Sequence, residues 1–323
     1  MPKKYFKAAM VLIGVQFLST TFSLPDNVQY FVNKMHDQYG FSKAALTKTL
    51  SQQKPNQSIL KIEHRPYQHK PWPVFRDGLI TKKRIHEGAS FFRLHRQALL
   101  RAQRKYHVDP YVITAIIGFE STYGKNKGHY QALNSLYTLG FNYPKREKYF
   151  QKELCSLFLL ARDWHKPVGS IKSSFDGGLG MPQFMPDMYR KMARAAKPKQ
   201  FPDLINNPDD AIESVAYYLQ QSHWDEKGFI ARPIQLTASV MQPSCHYQKK
   251  ANYSIASLEK DGFSVPKKTN NQKVGCVSLE DKETTDYWVI GNNFYAIQKY
   301  NPQIYYVLIV NQLSDSIKNQ VHK

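Results

Sequence analysis

The segment Asp109-Pro110-Tyr111-Val112-Ile113-Thr114-Ala115-Ile116-Ile117-Gly118-Phe119-Glu120-Ser121-Thr122-Tyr123-Gly124 limits the possible folds more than any other part of the chain. Asp109 suits a helix N-cap, and Pro110 fits the first helical position because its missing N–H would be unpaired there. Gly124 suits the left-handed turn that stops a helix. The spacing therefore predicts one helix of about four turns. Stepping back from Glu120 by three, four and seven positions reaches Ile117, Ile116 and Ile113, so the one acid inside the helix lies on its most apolar stripe. Burial there disfavours the charged carboxylate and raises its pKa, which a general acid needs if it is to hold a proton near neutrality. The same spacing also suits a helix-end glutamate that reaches solvent or pairs with Lys125, and residues alone leave both readings open.

A helix this apolar needs partners, and 323 residues with 42% hydrophobic content supply a core and argue against wholesale disorder. The net charge of +20 implies a polyanionic partner: nucleic acid, anionic lipid or an acidic polymer such as a cell wall. Lys3, Lys4 and Lys7 precede an uncharged run from Ala8 to Leu18, followed by Thr21-Phe22-Ser23 with small residues where a signal peptidase reads. Residues 1–23 therefore read as a cleaved secretory signal. The run is short for a span of about 20 apolar residues. No cysteine stands near its end to carry a lipid, so the chain is expected to be peripheral to a membrane at most. In an oxidising compartment Cys245 and Cys276 could close one loop, which would leave Cys155 as a buried thiol in a helix, and the sequence leaves that pairing open. The odd count, without Cys-x-x-Cys or a His cluster, gives no zinc pattern.

Helical spacing predicts two short helices between residues 25 and 60. Residues 54–73, rich in Pro, His and Lys, read as a surface loop that carries Trp72, with Phe75 just beyond it. One basic helix is expected over 80–106, with its charges on a solvated face. No nucleic-acid fingerprint accompanies it, and the export signal argues against nucleic acid. A long helix is expected over 144–165. The loop from Ser173 to Pro186 follows, its glycines permitting close approach to a ligand while Ser174 and Gln183 offer hydrogen-bonding groups. It is neither a P-loop nor a dinucleotide fingerprint. Another helix begins at Asn207-Pro208. Short β-prone pieces between residues 232 and 290 suggest a small β-containing insertion, after which helical spacing returns over 291–323.

Four segments together resemble one family, the lytic transglycosylases of the membrane-bound lytic murein transglycosylase B type. They are Ile116 through Gly124; Phe141-Asn142-Tyr143-Pro144-Lys145-Arg146 with Tyr149-Phe150; Ser174 through Gly180 with Gln183-Phe184-Met185-Pro186; and Asn293-Phe294-Tyr295-Ala296-Ile297 through Tyr300-Asn301. They occur in family order across most of the chain. The resemblance implies a mainly α, lysozyme-like fold: a catalytic region over 24–231, the β-containing insertion over 232–290 and a helical segment over 291–323 that completes the catalytic body. It implies an exported periplasmic monomer that cleaves peptidoglycan strands between N-acetylmuramic acid and N-acetylglucosamine, without a cofactor. Glu120 matches the family's single catalytic acid, which protonates the glycosidic oxygen and then takes the proton of the muramic acid C6 hydroxyl as a 1,6-anhydro end forms. Hydrolases of the two-carboxylate type instead use a second acid.

Ser174 and Gln183 match residues that contact the sugar at the cleavage point, and Phe184 supports the wall behind them. Tyr300, Asn301 and Tyr306 match residues that line the cleft near the acid. The chain departs from the family where Phe75 replaces a tyrosine and Lys145 an arginine, with Arg146 keeping that point cationic. Between Tyr189 and Ala211, where family members often carry a calcium loop, the basic run Arg190 to Lys199 lacks oxygen ligands, so no metal is expected. Asp176 occupies a position usually held by a small apolar residue. Facing Glu120, it would provide a second carboxylate and reopen hydrolysis. A wall-binding protein without turnover is the remaining alternative.

Overall fold

A computed structural model describes residues 24–64, 70–237, 244–266, 273–280 and 285–323. The expected signal over 1–23 lies outside the described residues. The chain divides into two compact units at Gln53 and Lys54. In the first unit, helix α1 (Asp26–Tyr39) buries Val28, Phe31, Val32 and Met35 and ends where Gly40 turns left-handed at φ 70°. Helix α2 (Lys43–Ser51) starts where the Ser42 hydroxyl accepts the Ala45 N–H at 3.3 Å.

The second unit opens with a correction. The stretch expected as a loop over 54–73 contains helix α3 (Gln57–Glu63), capped by Asn56, and the start of α4 (Trp72–Leu79), so Trp72 and Phe75 are helical residues. The charge pattern concealed both, because Pro71 initiates α4 where its ring would be expected to interrupt a helix. The expected basic helix over 80–106 is two helices, α5 (Lys82–Leu94) and α6 (Arg96–Tyr106), separated at His95. Its basic face is not wholly solvated. Arg101 pairs with Asp209 at 3.0 Å and Lys105 with Glu213 at 3.1 Å, and Glu213 is only 2% exposed. These cations neutralise the acids of a neighbouring helix.

Helix α7 (Pro110–Ser121) is the centre of the core. The Asp109 carboxylate accepts the Tyr111 N–H at 2.7 Å, and the helix buries Val112 through Gly118. Apolar all round, it is enclosed by α5, α6, α11 (Pro208–Gln221) and α14 (Ile304–Val321). It stops one turn earlier than Gly124: Thr122, Tyr123 and Gly124 all take positive φ. The Tyr123 ring folds back onto Gly118, where an added Cβ would lie 2.4 Å from the ring. Arg84 donates to the Gly118 carbonyl at 3.1 Å, and the Tyr123 hydroxyl donates to the Arg84 carbonyl at 2.8 Å, so the end of α7 is clamped.

Helices α8 (Ala132–Asn142) and α9 (Glu147–Asp163) pack together, with Pro144–Arg146 as a 3-10 turn between them. Cys155 on α9 is half-buried, where full burial was expected. Strands β1 (Tyr130–Gln131) and β2 (Lys172–Ser173) pair, and α10 (Pro186–Met192), which the sequence reading did not identify, follows the glycine loop. The insertion contains β3 (Ala231–Leu236), α12 (Ile255–Lys260), β4 (Phe263–Ser264), β5 (Gly275–Glu280) and β6 (Thr285–Ile290). Its antiparallel sheet has the order β4-β3-β6-β5. The structure joins Cys245 to Cys276 within its own small core, beside Ile234, Leu258, Phe263 and Val289. Pairing of Ala231 with Ile290 brings entry and exit together, so the chain returns through α13 (Asn292–Gln298) into α14 against α4, α5 and α7.

Candidate active site

Glu120 sits in the last turn of α7, just before the clamped left-handed residues. Burial pushes its carboxyl up to about 8; the Tyr306 hydroxyl works against that rise and the Asp176 carboxylate adds to it. Lys125, the alternative partner, pairs with Glu87 at 3.0 Å instead. At neutral pH the acid on the apolar stripe therefore holds its proton.

One wall beside it is aromatic. Tyr306, on α14 and only 1% exposed, meets Phe119 edge-on at 4.7 Å between centroids. Its buried hydroxyl has no hydrogen-bond partner among the described residues, and it lowers the pKa of the Glu120 carboxyl. Tyr300 lies parallel to Tyr306 at 6.3 Å and donates its hydroxyl to the Pro182 carbonyl. Buried Phe184 and Tyr218 back Tyr300 at 5.7 and 5.0 Å, so Phe184 supports the wall and does not face the cleft. Burial holds both Tyr300 and Tyr306 far above the usual phenol range, with the nearby Glu120 adding to it, so both act as neutral hydroxyls.

The glycine loop faces this wall. The Ser174 hydroxyl donates to Asp176 Oδ1 at 2.6 Å and accepts the Gly178 N–H at 2.8 Å. The Gln183 amide donates to the Gly180 carbonyl at 2.7 Å, and its backbone takes a positive φ of 51°. Gly180 is required where it is: at φ 70° an added Cβ would stand 2.4 Å from the Leu204 carbonyl oxygen.

The remaining sequence candidates divide. Arg146 lies over the Tyr149 ring at 4.3 Å and lowers the pKa of Glu63, which burial and Asp176 raise. Lys145 is exposed on the same 3-10 turn and is not drawn into this cluster. Phe75 packs on Tyr305, the neighbour of Tyr306, at 5.4 Å. Asn301 caps a local turn, its side chain accepting the Gln303 N–H at 3.1 Å. Sequence reasoning missed Glu63, because its segment was read as a loop, and missed Tyr218, whose role depends on a neighbour far along the chain. The apolar spacing of Ile59 and Ile62 was the available signal for α3.

The stretch between Tyr189 and Ala211 does not fit calcium. The buried Asp210 carboxylate accepts the N–H groups of Ala196 and Asp203, each at 2.8 Å, and Asp203 accepts those of Ile205 and Asn206. Arg194 stacks on Tyr217 at 3.6 Å. These carboxylate oxygens are engaged by backbone donors in place of a cation.

A proton-holding carboxyl at the end of a core helix, set in a mostly helical body with small antiparallel sheets, marks the lysozyme-like class of folds. Within that class the chain belongs to the transglycosylase SLT domain family, whose model matches residues 23–315. It is similar to membrane-bound lytic murein transglycosylase B of Escherichia coli strain K12, with 32% identity over 315 residues, covering 94% of this chain and 86% of that protein. The soluble lytic transglycosylase SltB1 from Pseudomonas aeruginosa superposes with a TM-score of 0.85 at 32% identity, covering 92% of this chain and all of the other. The Escherichia coli lytic transglycosylase Slt35 in complex with calcium gives 0.85 and 32%, covering 94% and 96%.

Proposed function

We infer that the chain is a peptidoglycan lytic transglycosylase in which Glu120 serves as both acid and base. The observation that carries the single-residue mechanism is the environment of Glu120. Its pKa of about 8 lies near working pH, where one carboxyl can donate a proton and take one back. Glu120 first gives its proton to the glycosidic oxygen as the bond from C1 of N-acetylmuramic acid breaks. The carboxylate left behind receives the Tyr306 hydroxyl and then accepts the C6 hydroxyl proton as O6 bonds to C1. The products are a free N-acetylglucosamine hydroxyl and a 1,6-anhydro end, with Glu120 protonated again. Ser174 and Gln183 orient the sugar at the cleavage point, Tyr300, Asn301 and Tyr306 line the cleft near the acid, and Arg146, Lys145 and Phe75 contact the strand. The positive charge concentrates the enzyme on the acidic wall.

Hydrolysis is the second reading, favoured by the charge of the Asp176 carboxylate acting on Glu120. Mass spectrometry of products released from purified sacculi decides between them. The expected result is anhydro-muropeptides from the parent and none from Glu120→Gln. Products one water heavier would establish hydrolysis, and undiminished release by Glu120→Gln would refute the role of Glu120. Among the described residues no helix is long and apolar enough to cross a membrane. We read the protein as a periplasmic monomer exported by residues 1–23 without a lipid anchor. Fractionation with the anhydro-muropeptide activity in a soluble periplasmic extract supports that reading, and activity recovered only from membranes contradicts it.

A further inference from the structure

We propose that Asp176 is a positioning residue for the Glu120 reaction: its carboxylate fixes the Ser174 hydroxyl as an acceptor toward substrate. The proposal rests on the reading of Glu120 as the catalytic acid.

The hydrogen bonds of the loop carry the proposal. A serine hydroxyl has one proton to donate and two lone pairs to accept with. In this loop the proton goes to Asp176 Oδ1 at 2.6 Å, while the Gly178 carbonyl, at 3.4 Å, is a much longer alternative. One lone pair takes the Gly178 N–H at 2.8 Å. The Ser174 N–H bonds the Gly178 carbonyl at 2.9 Å and the Gly177 N–H bonds the Ser174 carbonyl at 3.2 Å, so the backbone cannot swing the hydroxyl away without breaking the turn. What remains for a ligand is one lone pair. Ser174 is thus arranged to receive an O–H or N–H of the sugar. An apolar side chain at position 176 would leave the hydroxyl proton free to donate in its place.

With one oxygen committed to Ser174, Asp176 acts through that hydroxyl and is not the attacking group.

The test is KM and kcat on soluble glycan strands for the parent, Asp176→Asn and Asp176→Ala, with Glu120→Gln as the blank. An asparagine keeps an acceptor oxygen for Ser174, so the Asn variant should hold KM close to that of the parent. The Ala variant should show a rise in KM of about fivefold, with kcat changed less, because Ser174 is released. An Ala variant with unchanged KM overturns the proposal, and so does an Asn variant whose KM rises as far as that of Ala. Should the Asn variant fail to fold, Asp176→Glu replaces it with the same expectation and the same refuting result. An inactive parent or an active Glu120→Gln would instead refute the Glu120 reading, so the two failures are distinguishable.

Discussion

Replacing Glu120 with glutamine should stabilise the protein, and by an amount that grows with pH. In the folded chain burial holds the Glu120 pKa at about 8 against an ordinary 4.5, so the folded state keeps a proton that the unfolded chain releases across that window. A raised pKa contributes stability that is complete below pH 4.5 and is lost as the pH climbs to 8. Each unit of difference is worth about 1.4 kcal/mol, so the loss has a ceiling of about 5 kcal/mol. Partial solvent access and relaxation around the charged form should reduce the observed effect to about 2 kcal/mol at pH 8, roughly a thirtyfold change in the folding equilibrium. Glutamine resembles the protonated acid in shape and does not titrate. Urea unfolding of the parent and Glu120→Gln should therefore nearly coincide at pH 4.5 and diverge steadily towards pH 8, the variant being the more stable. A gap that is flat with pH, or a parent that is more stable at pH 8, would refute the account of Glu120 as a buried acid. The same burial that makes the residue useful makes it costly.

Tyr306→Phe removes the hydroxyl that favours the Glu120 carboxylate, so the alkaline limb of the pH profile should move up, and turnover should fall about tenfold or more. A limb that stays in place would show that Tyr306 only packs. Joining residues 31 apart, the disulfide between Cys245 and Cys276 should contribute about 4 kcal/mol by restricting the unfolded chain. Replacing both cysteines with alanine should lower the melting temperature of the insertion, followed by near-ultraviolet circular dichroism, and an unchanged melting curve would contradict this estimate.

The departures from the family pattern acquire different weights in three dimensions. Lys145 lies outside the cluster around Glu120, while Arg146, one residue on, is stacked on Tyr149 and acts on Glu63. Asp176 is the departure that bonds Ser174 and also raises the pKa of Glu120 through its charge. In the stretch where calcium was not expected, Asp210 holds backbone N–H groups in the manner of a cap, a role that side chain to backbone bonds fill without a metal.

Local chemistry is what the sequence determined by itself. The α7 segment from the Asp109 cap onward was legible because N-capping, proline at the first position and apolar spacing all act within a few residues. The glycine loop, the start of α11 at Asn207 and the β character of the insertion were legible for the same reason. Where local signals conflicted, reading failed: prolines and charges hid α3 and α4, and continuous periodicity across His95 merged α5 with α6. Only the tertiary structure decided what faces Glu120. Tyr300 and Tyr306 arrive from the far end of the chain because the paired strands β3 and β6 return it to α7, and Asp176 arrives because Ser174 and Gly178 close the loop. The raised pKa, the neutral phenols and the opposing effects of Tyr306 and Asp176 arise from through-space burial and charge, which depend on distances between residues the sequence keeps apart.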